Sequence, residues 1–444
     1  MKKITIISMV LLLSASLSEA QEILTLDRCL DIALENNLQI KRSENNLLIA
    51  KSNKVQAIGN FLPSIQGSIN YNYFFGTTFD QSAARQVTAT TGSSNPNLSA
   101  SWNIFSGFNN TYLLKRRNVE LESARNSIES DKLNTRSSVY DSYLSIILDR
   151  ENIKISDERI DLLEQQLERE IQREKVGVSN MEMVFNFKSQ LANEKLSNVN
   201  LQNLLKADKL ALYQLLRLKA SESFEVASFE TDDAVLLEVV PFGEILAKSL
   251  EFSPAIKVAQ LNKEATRLGF KQTVSSRYPT IGAFATIGSN FSTNGAVNPE
   301  TNNFESDANF LTQLEYNQFE LIGFRLNIPI FNNFSTSNNI QVAKLNYYNS
   351  ELDVEQAYQT VTNTLQRTYL DLVAAQETYK SAKENLEALN QSFEFVKKRY
   401  EEGLTDFYTY LESLNNKNRA EIELANAKYS IVFRKKILDL LQGA

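Results

Sequence analysis

The 444-residue chain has no histidine, a single cysteine (Cys29), and only 14 glycines and 7 prolines. Without histidine there is no imidazole acid–base catalysis and no histidine-ligated metal. One thiol makes neither an internal disulfide nor a thiolate cluster. The chain also lacks a glycine-rich phosphate loop and a serine in a nucleophile-elbow context. Carboxylate pairs such as Glu164 and Glu168, spaced i, i+4, read as solvated helix faces. Neither catalysis nor a cofactor is expected. Positive charge is also short, with 46 Lys and Arg against 53 Asp and Glu. The net charge of −7 has the wrong sign for a nucleic-acid partner. At 43% apolar and 22% charged residues, the chain is neither disordered nor a typical multi-helix membrane protein.

Glycine and proline usually make up about 7% and 5% of a protein. Here both are absent from 108–176, 178–240, 330–402 and 404–442. A globular fold needs turns more often than that, so these gaps predict very long helices. At about 1.5 Å per residue, the longest would reach roughly 100 Å.

The N-terminus has the layout of a secretory signal peptide. Lys2 and Lys3 precede a mainly apolar run from Ile4 to Leu17, then Ser18-Glu19-Ala20 as a small-x-small cleavage site. The alternative, a membrane-anchoring helix, needs about 20 apolar residues. The expected signal is 1–20, and no cysteine directly follows it to carry a lipid. Nothing later in the chain approaches about 18 apolar residues, so a membrane span would have to be built of strands.

The rest of the chain is written twice. Leu34-Glu35 aligns with Leu250-Glu251 and Pro63 with Pro279, an offset of 216. Ile104-Phe105 aligns with Ile330-Phe331, Tyr143-Leu144 with Tyr369-Leu370, and Gly177 with Gly403, an offset of 226. The expected organisation is repeat 1 over 21–217, an inter-repeat equatorial segment over 218–241, and repeat 2 over 242–442. Each repeat would hold a short helix, a strand pair (64–105 or 280–331) and a long helical hairpin. The hairpins would span 108–217 and 333–442, with tips at 177 and 403.

The strands alternate with period two. In 64–75, Ile65, Gly67, Ile69, Tyr71, Tyr73 and Phe75 alternate with Gln66, Ser68, Asn70 and Asn72. In 97–104, Leu98, Ala100, Trp102 and Ile104 alternate with Asn97, Ser99, Ser101 and Asn103. The second pair, about 280–288 and 321–330, places Ile281, Ala283, Ala285 and Ile287 on one face. Ile322, Phe324, Leu326, Ile328 and Ile330 share another. Polar loops are expected at about 77–95 and 289–318. One reading is a sheet on a soluble core. The other is a membrane barrel, favoured by strand length and by an Asn- and Ser-rich face suited to a wet lumen. Ile69 and Trp102 would then face lipid.

Four strands do not close a barrel, since about eight are the fewest that do, and lipid tolerates no open edge. Two chains would supply eight strands around a filled interior. Three would supply twelve around a channel, which suits an aqueous conduit.

In the helices, Leu386, Leu389, Phe393, Val396 and Tyr400 follow 3-4 spacing, and Ile160, Leu163 and Leu167 hold the same register one repeat earlier. This is a coiled-coil seam. Glu170 and Glu174 interrupt it, with Ile171 the apparent replacement. The runs end at Val176-Gly177-Val178-Ser179 and Glu402-Gly403-Leu404-Thr405. There glycine suits a helix C-terminus, and the Ser or Thr is expected to cap the next helix.

Taken together, the chain resembles the TolC-type outer-membrane efflux proteins. The resemblance covers essentially the whole mature chain. It rests on Leu24-Thr25-Leu26 with Ala33-Leu34-Glu35-Asn36-Asn37, on Phe61-Leu62-Pro63, on Ile328-Pro329-Ile330-Phe331-Asn332, and on Lys398 through Asp406. The resemblance implies an α+β membrane protein, a homotrimer whose 12-stranded β-barrel takes four strands per chain. The barrel would continue into a long α-helical coiled-coil tunnel, with outer-membrane lipid around it and the tunnel in the periplasm. A mixed α/β belt would draw on 219–240 and the chain termini. It also implies a periplasmic adaptor and an inner-membrane RND or ABC transporter as partners, with cargo conducted passively. A passive porin or a structural envelope coiled coil is the rival reading.

Gly177, Val178 and Ser179, with Gly403, Leu404 and Thr405, match the tip turns that meet the adaptor in this family. Tyr400 matches a tyrosine that helps hold a closed tip, and Glu412 matches an acidic lumen residue near the constriction. The plainer readings are a seam residue for Tyr400 and a solvated helix face for Glu412. Thr405 and Thr409 depart from the family pattern, standing where an arginine and a second acid are found.

Overall fold

The computed structural model describes residues 22–80, 84–218, 224–227, 236, 238, 241–307 and 309–443. The expected signal segment 1–20, and most of the expected inter-repeat segment 218–241, lie outside the described residues. The chain divides into two units. The first comprises 1–44, 126–256 and 357–444, and the second 45–125 and 257–356.

The elements, in chain order, begin with β1 (Glu22–Leu24), α1 (Leu26–Asn36) and α2 (Leu38–Gly59). Strands β2 (Ser64–Ser68), β3 (Tyr71–Asp80), β4 (Arg85–Ser94) and β5 (Asn97–Phe105) follow, then helices α3 (Asn109–Lys175) and α4 (Met181–Leu216). After β6 (Phe224–Val226) come α5 (Phe242–Phe252), α6 (Pro254–Val274) and β7 (Thr280–Gly288). The short elements β8 (Phe291–Ser292), β9 (Ala296–Val297), β10 (Phe304–Glu305) and α7 (Phe310–Tyr316) lead to β11 (Phe319–Asn327). Helices α8 (Ser335–Glu401) and α9 (Phe407–Gln442) close the chain.

The absence of glycine and proline is realised as two helices of 67 residues, α3 and α8, and two of 36, α4 and α9. Among the described residues no helix is long and apolar enough to cross a membrane.

In the first unit, α1 starts where Thr25 accepts the Arg28 amide at 3.3 Å, which satisfies one of the free N–H groups of a helix start. Its buried Leu26, Cys29, Ile32 and Ala33 join Val139, Tyr143 and Ile146 of α3, Leu212 and Leu216 of α4, and Phe433 of α9 in one core. Burial pushes the Cys29 thiol up to about 12, so it packs as a small apolar group. Strands β1 and β6 pair in parallel beside this core. The Tyr143 hydroxyl donates to the Ala227 carbonyl at 3.0 Å, and the Arg150 guanidinium to that of Val226.

In the second unit, four strands form an antiparallel sheet in the order β11-β7-β5-β2, and three more form the sheet β3-β4-β8. Here the structure departs from the sequence expectation in four places. The first strand, read as 64–75, breaks at Ile69-Asn70, so Ile69 lies in no strand. Opposite the break, Asn95 still donates to the Asn70 carbonyl at 3.3 Å, while Pro96, between β4 and β5, turns its carbonyl to the Ser289 amide at 3.0 Å instead of toward Ile69. The region 77–95, read as loop, is mostly the β3–β4 hairpin, whose ladder runs from Tyr71 opposite Ser94 to Asp80 opposite Arg85. Likewise 289–318 carries β8, β9, β10 and α7 rather than loop alone. A bidentate pair stitches it, in which the buried Gln313 amide donates to the Ser292 carbonyl and accepts the Ser292 N–H, both at 2.9 Å. Finally, the last strand ends at Asn327 rather than Ile330, because Pro329 and the restricted residue before it do not continue a ladder.

Candidate functional site

The four-stranded sheet has one apolar face and one mainly polar face. Its register sets Ile65, Ala100, Ala285 and Ile322 in one row, and Trp102, Ala283 and Phe324 in the next. These are the apolar sets read from each strand separately, now brought onto one face. The opposite face is mainly polar and carries rows such as Gln66, Ser99, Thr286 and Leu321, or Asn103, Gly282 and Arg325. Among the described residues nothing covers the apolar face: Ile322 and Phe324 are each 78% exposed and Ile65 is 71% exposed. The Trp102 indole stays on that face and donates to the Phe61 carbonyl at 2.9 Å. Both edge strands, β2 and β11, end the sheet with one side unpaired.

The second feature is the paired helix tip of the first unit. Gly177 and Gly403 both have φ of +76°, a left-handed conformation that costs other residues about 1 kcal/mol or more. Each closes its helix in the same way. The Gly177 amide donates to the Glu174 carbonyl and that of Val178 to Arg173, both at 2.9 Å. The Gly403 amide donates to the Tyr400 carbonyl at 3.0 Å, and that of Leu404 to Arg399 at 2.7 Å. This is the Schellman pattern, in which the residue after the glycine usually packs back on the helix. Here Val178 and Leu404 are instead largely exposed, 65% and 62%. Two apolar side chains are therefore presented at the tip by rigid backbone.

The next helices are not capped by Ser179 and Thr405 as expected. The caps are Asn180, which accepts the Met183 amide at 2.9 Å, and Asp406, which accepts the Thr409 amide at 2.9 Å. Each is one residue further on, and the Ser179 hydroxyl is turned instead to Glu170.

Behind the turns, Tyr400 is buried with Leu163, Phe187, Phe393, Phe407 and Tyr410. Its ring stacks on Tyr410 with centroids 5.0 Å apart. Burial, and then the neighbouring Glu170 carboxylate, push the Tyr400 phenol well above its ordinary range. Glu170 itself is only 1% exposed. It accepts the Ser179 hydroxyl at 2.7 Å and faces Arg173 at 3.4 Å, while Arg173 also donates to the Tyr400 carbonyl at 3.5 Å. Arg169 pairs with Glu401 alongside. The seam therefore passes through Glu170 rather than shifting to Ile171, which is half-buried. Glu170 was missed as a functional candidate, although a carboxylate in the register occupied by Val396 one repeat later is itself the signal. Glu412 is exposed on α9, on the side away from buried Tyr410 and Leu414, and takes no part in this cluster.

A profile of the family described as "Outer membrane efflux protein" matches residues 29–216 and 245–444. Among solved structures, the chain is similar to CusC, with a TM-score of 0.78 at 16% identity over 94% of this chain and 91% of that one. It is also similar to the outer membrane protein VceC of Vibrio cholerae, with TM-score 0.77, 15% identity, and 94% and 96% of the two chains covered. The outer membrane channel CmeC of Campylobacter jejuni gives 0.77 at 17% identity, over 94% and 85%. At such identities these likenesses concern the fold. An uncharacterised protein of Haemophilus influenzae is 21% identical over 259 residues, which are 58% of this chain and 52% of that protein. The chain thus spans about half the length of that curated relative. With the family profile covering most of both halves of the sequence, the chain belongs to the outer membrane efflux protein family.

Proposed function

We propose that three copies of this chain form an outer-membrane channel-tunnel, which passively conducts cargo delivered by a periplasmic adaptor and an inner-membrane RND or ABC transporter. One observation carries the reading: a four-stranded sheet with an uncovered apolar face, a polar face and two open edges. In lipid the apolar face needs no cover, but each open edge must find a partner. Because neighbours alternate in direction, β11 and β2 run opposite ways, and β11 of one copy meets β2 of the next in antiparallel pairing. Three copies then close twelve strands around a water-filled lumen lined by the polar face.

The helices are the staves of the periplasmic tunnel. Their lengths support a duplicated unit, since α3 and α8 begin 226 residues apart, as do α4 and α9. The tips Gly177-Val178-Ser179 and Gly403-Leu404-Thr405 are the adaptor contact, with Val178 and Leu404 as apolar anchors. Tyr400 holds the tip in register, and Glu412 is an acid of the tunnel lumen.

The test is the mass of the purified protein in mild detergent by light scattering. A trimer is expected, collapsing to a monomer of about the 50.3 kDa chain mass on boiling. A folded monomer that keeps its strands in detergent overturns the shared barrel. Crosslinked pull-down from intact cells should recover an adaptor and a transporter, whereas a passive porin would recover neither.

A further inference from the structure

The polar face of the sheet is not uniformly neutral. Across β2, β5, β7 and β11 the only charged residues are Glu320 and Arg325, both on β11. Their numbers differ by an odd interval, so they point to opposite faces. Glu320 pairs in register with Ile287 on the apolar face near the strand end, and Arg325 with Gly282 on the polar face. Arg325 is exposed.

The surroundings of Arg325 position it. Phe284 is the cross-strand partner of Gly323, and its ring lies across that glycine, since a Cβ there would come within 2.5 Å of the ring. Such an aromatic laid over a strand glycine fixes the ring against the sheet. The Arg325 guanidinium then sits over the same ring, 5.6 Å from its centroid, in a cation–π arrangement. The row beyond it holds Gly282, which has no side chain, and Asn103, a hydrogen-bonding group. A planar, permanently charged donor fork is thus held on an aromatic plate beside open space. This is chemistry suited to carboxylate, phosphate or sulfonate groups.

Building on the barrel reading above, we infer that Arg325 and Phe284 form a recognition point for anionic solutes inside the lumen, repeated threefold as a cationic ring. The ring biases the outer stage of the conduit toward anionic cargo, particularly cargo with a flat apolar body to lie on Phe284. A ring of arginines in a wet pore attracts anions and repels cations. Its reach is about 10 Å at 0.1 M salt and about 3 Å at 1 M.

The test places a thiol probe at Asn103→Cys in protein reconstituted in lipid vesicles, the native Cys29 being buried. Labelling rates are compared for anionic and cationic water-soluble thiol reagents of matched size. With Arg325 present, the anionic reagent should be favoured. Arg325→Gln should lower the anionic-to-cationic rate ratio by about threefold or more at low salt, with the difference fading near 1 M. Arg325→Lys should restore most of the ratio, and Glu320→Gln on the opposite face should leave it unchanged. If Asn103→Cys labels readily and Arg325→Gln does not move the ratio, the anion ring is wrong and the barrel stands. If Asn103→Cys resists water-soluble reagents while Ala100→Cys accepts them, the faces are reversed and both readings fall.

Discussion

The Ser179 hydroxyl donates to the Glu170 carboxylate at 2.7 Å, tying the residue just past the first tip turn to a buried acid nine positions back on α3. The carboxylate would otherwise keep an unmet acceptor in an apolar cluster. The bond therefore holds the turn closed over Tyr400. Ser179→Ala should destabilise the tip locally by about 1–3 kcal/mol, while Ser179→Thr should be mild. Hydrogen exchange of the 163–191 segment measures this, and unchanged protection would separate the turn from Glu170.

Tyr400 is a reporter for the same cluster. Burial is the larger cause of its suppressed ionisation and Glu170 the smaller. In Glu170→Gln, a spectrophotometric titration should find the phenol ionising at lower pH than in the native protein, yet still above the ordinary tyrosine range near 10. Should the titration be indifferent to Glu170, the carboxylate does not act on Tyr400.

Gly177 and Gly403 offer a cleaner perturbation than most turn glycines. A Cβ at Gly177 would meet nothing within 4 Å, and at Gly403 only Arg173 at 3.8 Å. Substitution there is resisted by backbone conformation and not by crowding. Gly403→Val should cost about 1 kcal/mol or more at the turn and leave oligomer assembly intact. It should also abolish adaptor crosslinking and export. Normal export by this variant would place docking elsewhere.

The two faces of the sheet differ by one residue step. Ala100→Arg, in the row with Ile65 and Ile322, should cost about 2–4 kcal/mol of stability in lipid. Ser99→Arg, one position earlier, should be nearly neutral. Denaturant titrations of protein folded into vesicles make the comparison, and equal damage at both positions would reject the assignment of faces.

In the first unit, Asp149 of α3 is buried and its carboxyl is pushed up to about 6, by burial first and then by the charge of Asp208 on α4. Between about pH 4, where the unfolded carboxyl loses its proton, and pH 6, the folded state holds more protons than the unfolded one. This residue's contribution to stability is therefore full below about pH 4 and declines as pH rises through 6. Asp149→Asn should remove that decline and raise stability at pH 7. A thermal-melt series from pH 4 to 7 checks it, and an identical profile in the variant would show that Asp149 ionises as it does in the unfolded chain.

Much of the architecture was legible because its signals are local. Missing glycine and proline imply uninterrupted helix, and the two glycines that punctuate the runs, Gly177 and Gly403, fall at the turns. Period-two alternation assigned Ile65, Ala100, Ala285 and Ile322 to the same kind of face before any of them could be placed side by side. The chain alone also carried the resemblance by which the family is recognised, in short motifs spread over both halves.

What only the tertiary structure decided depends on partners distant in sequence. The alternation of 64–75 is unbroken in the chain, but opposite Ile69 the backbone of Pro96 turns to Ser289, far away in sequence. Asn180, rather than Ser179, became the cap of its helix, with the Ser179 hydroxyl drawn back to Glu170, nine positions earlier. Glu170 reads as a fault in the seam until Ser179 and Arg173 come within reach of it. A lone arginine on one strand of a neutral face becomes a positioned group only when Phe284, from another strand, lies over Gly323. Periodicity is set by one residue and its near neighbours, so sequence reports it. Burial, register and charge pairing are set by residues that meet only when the chain has folded.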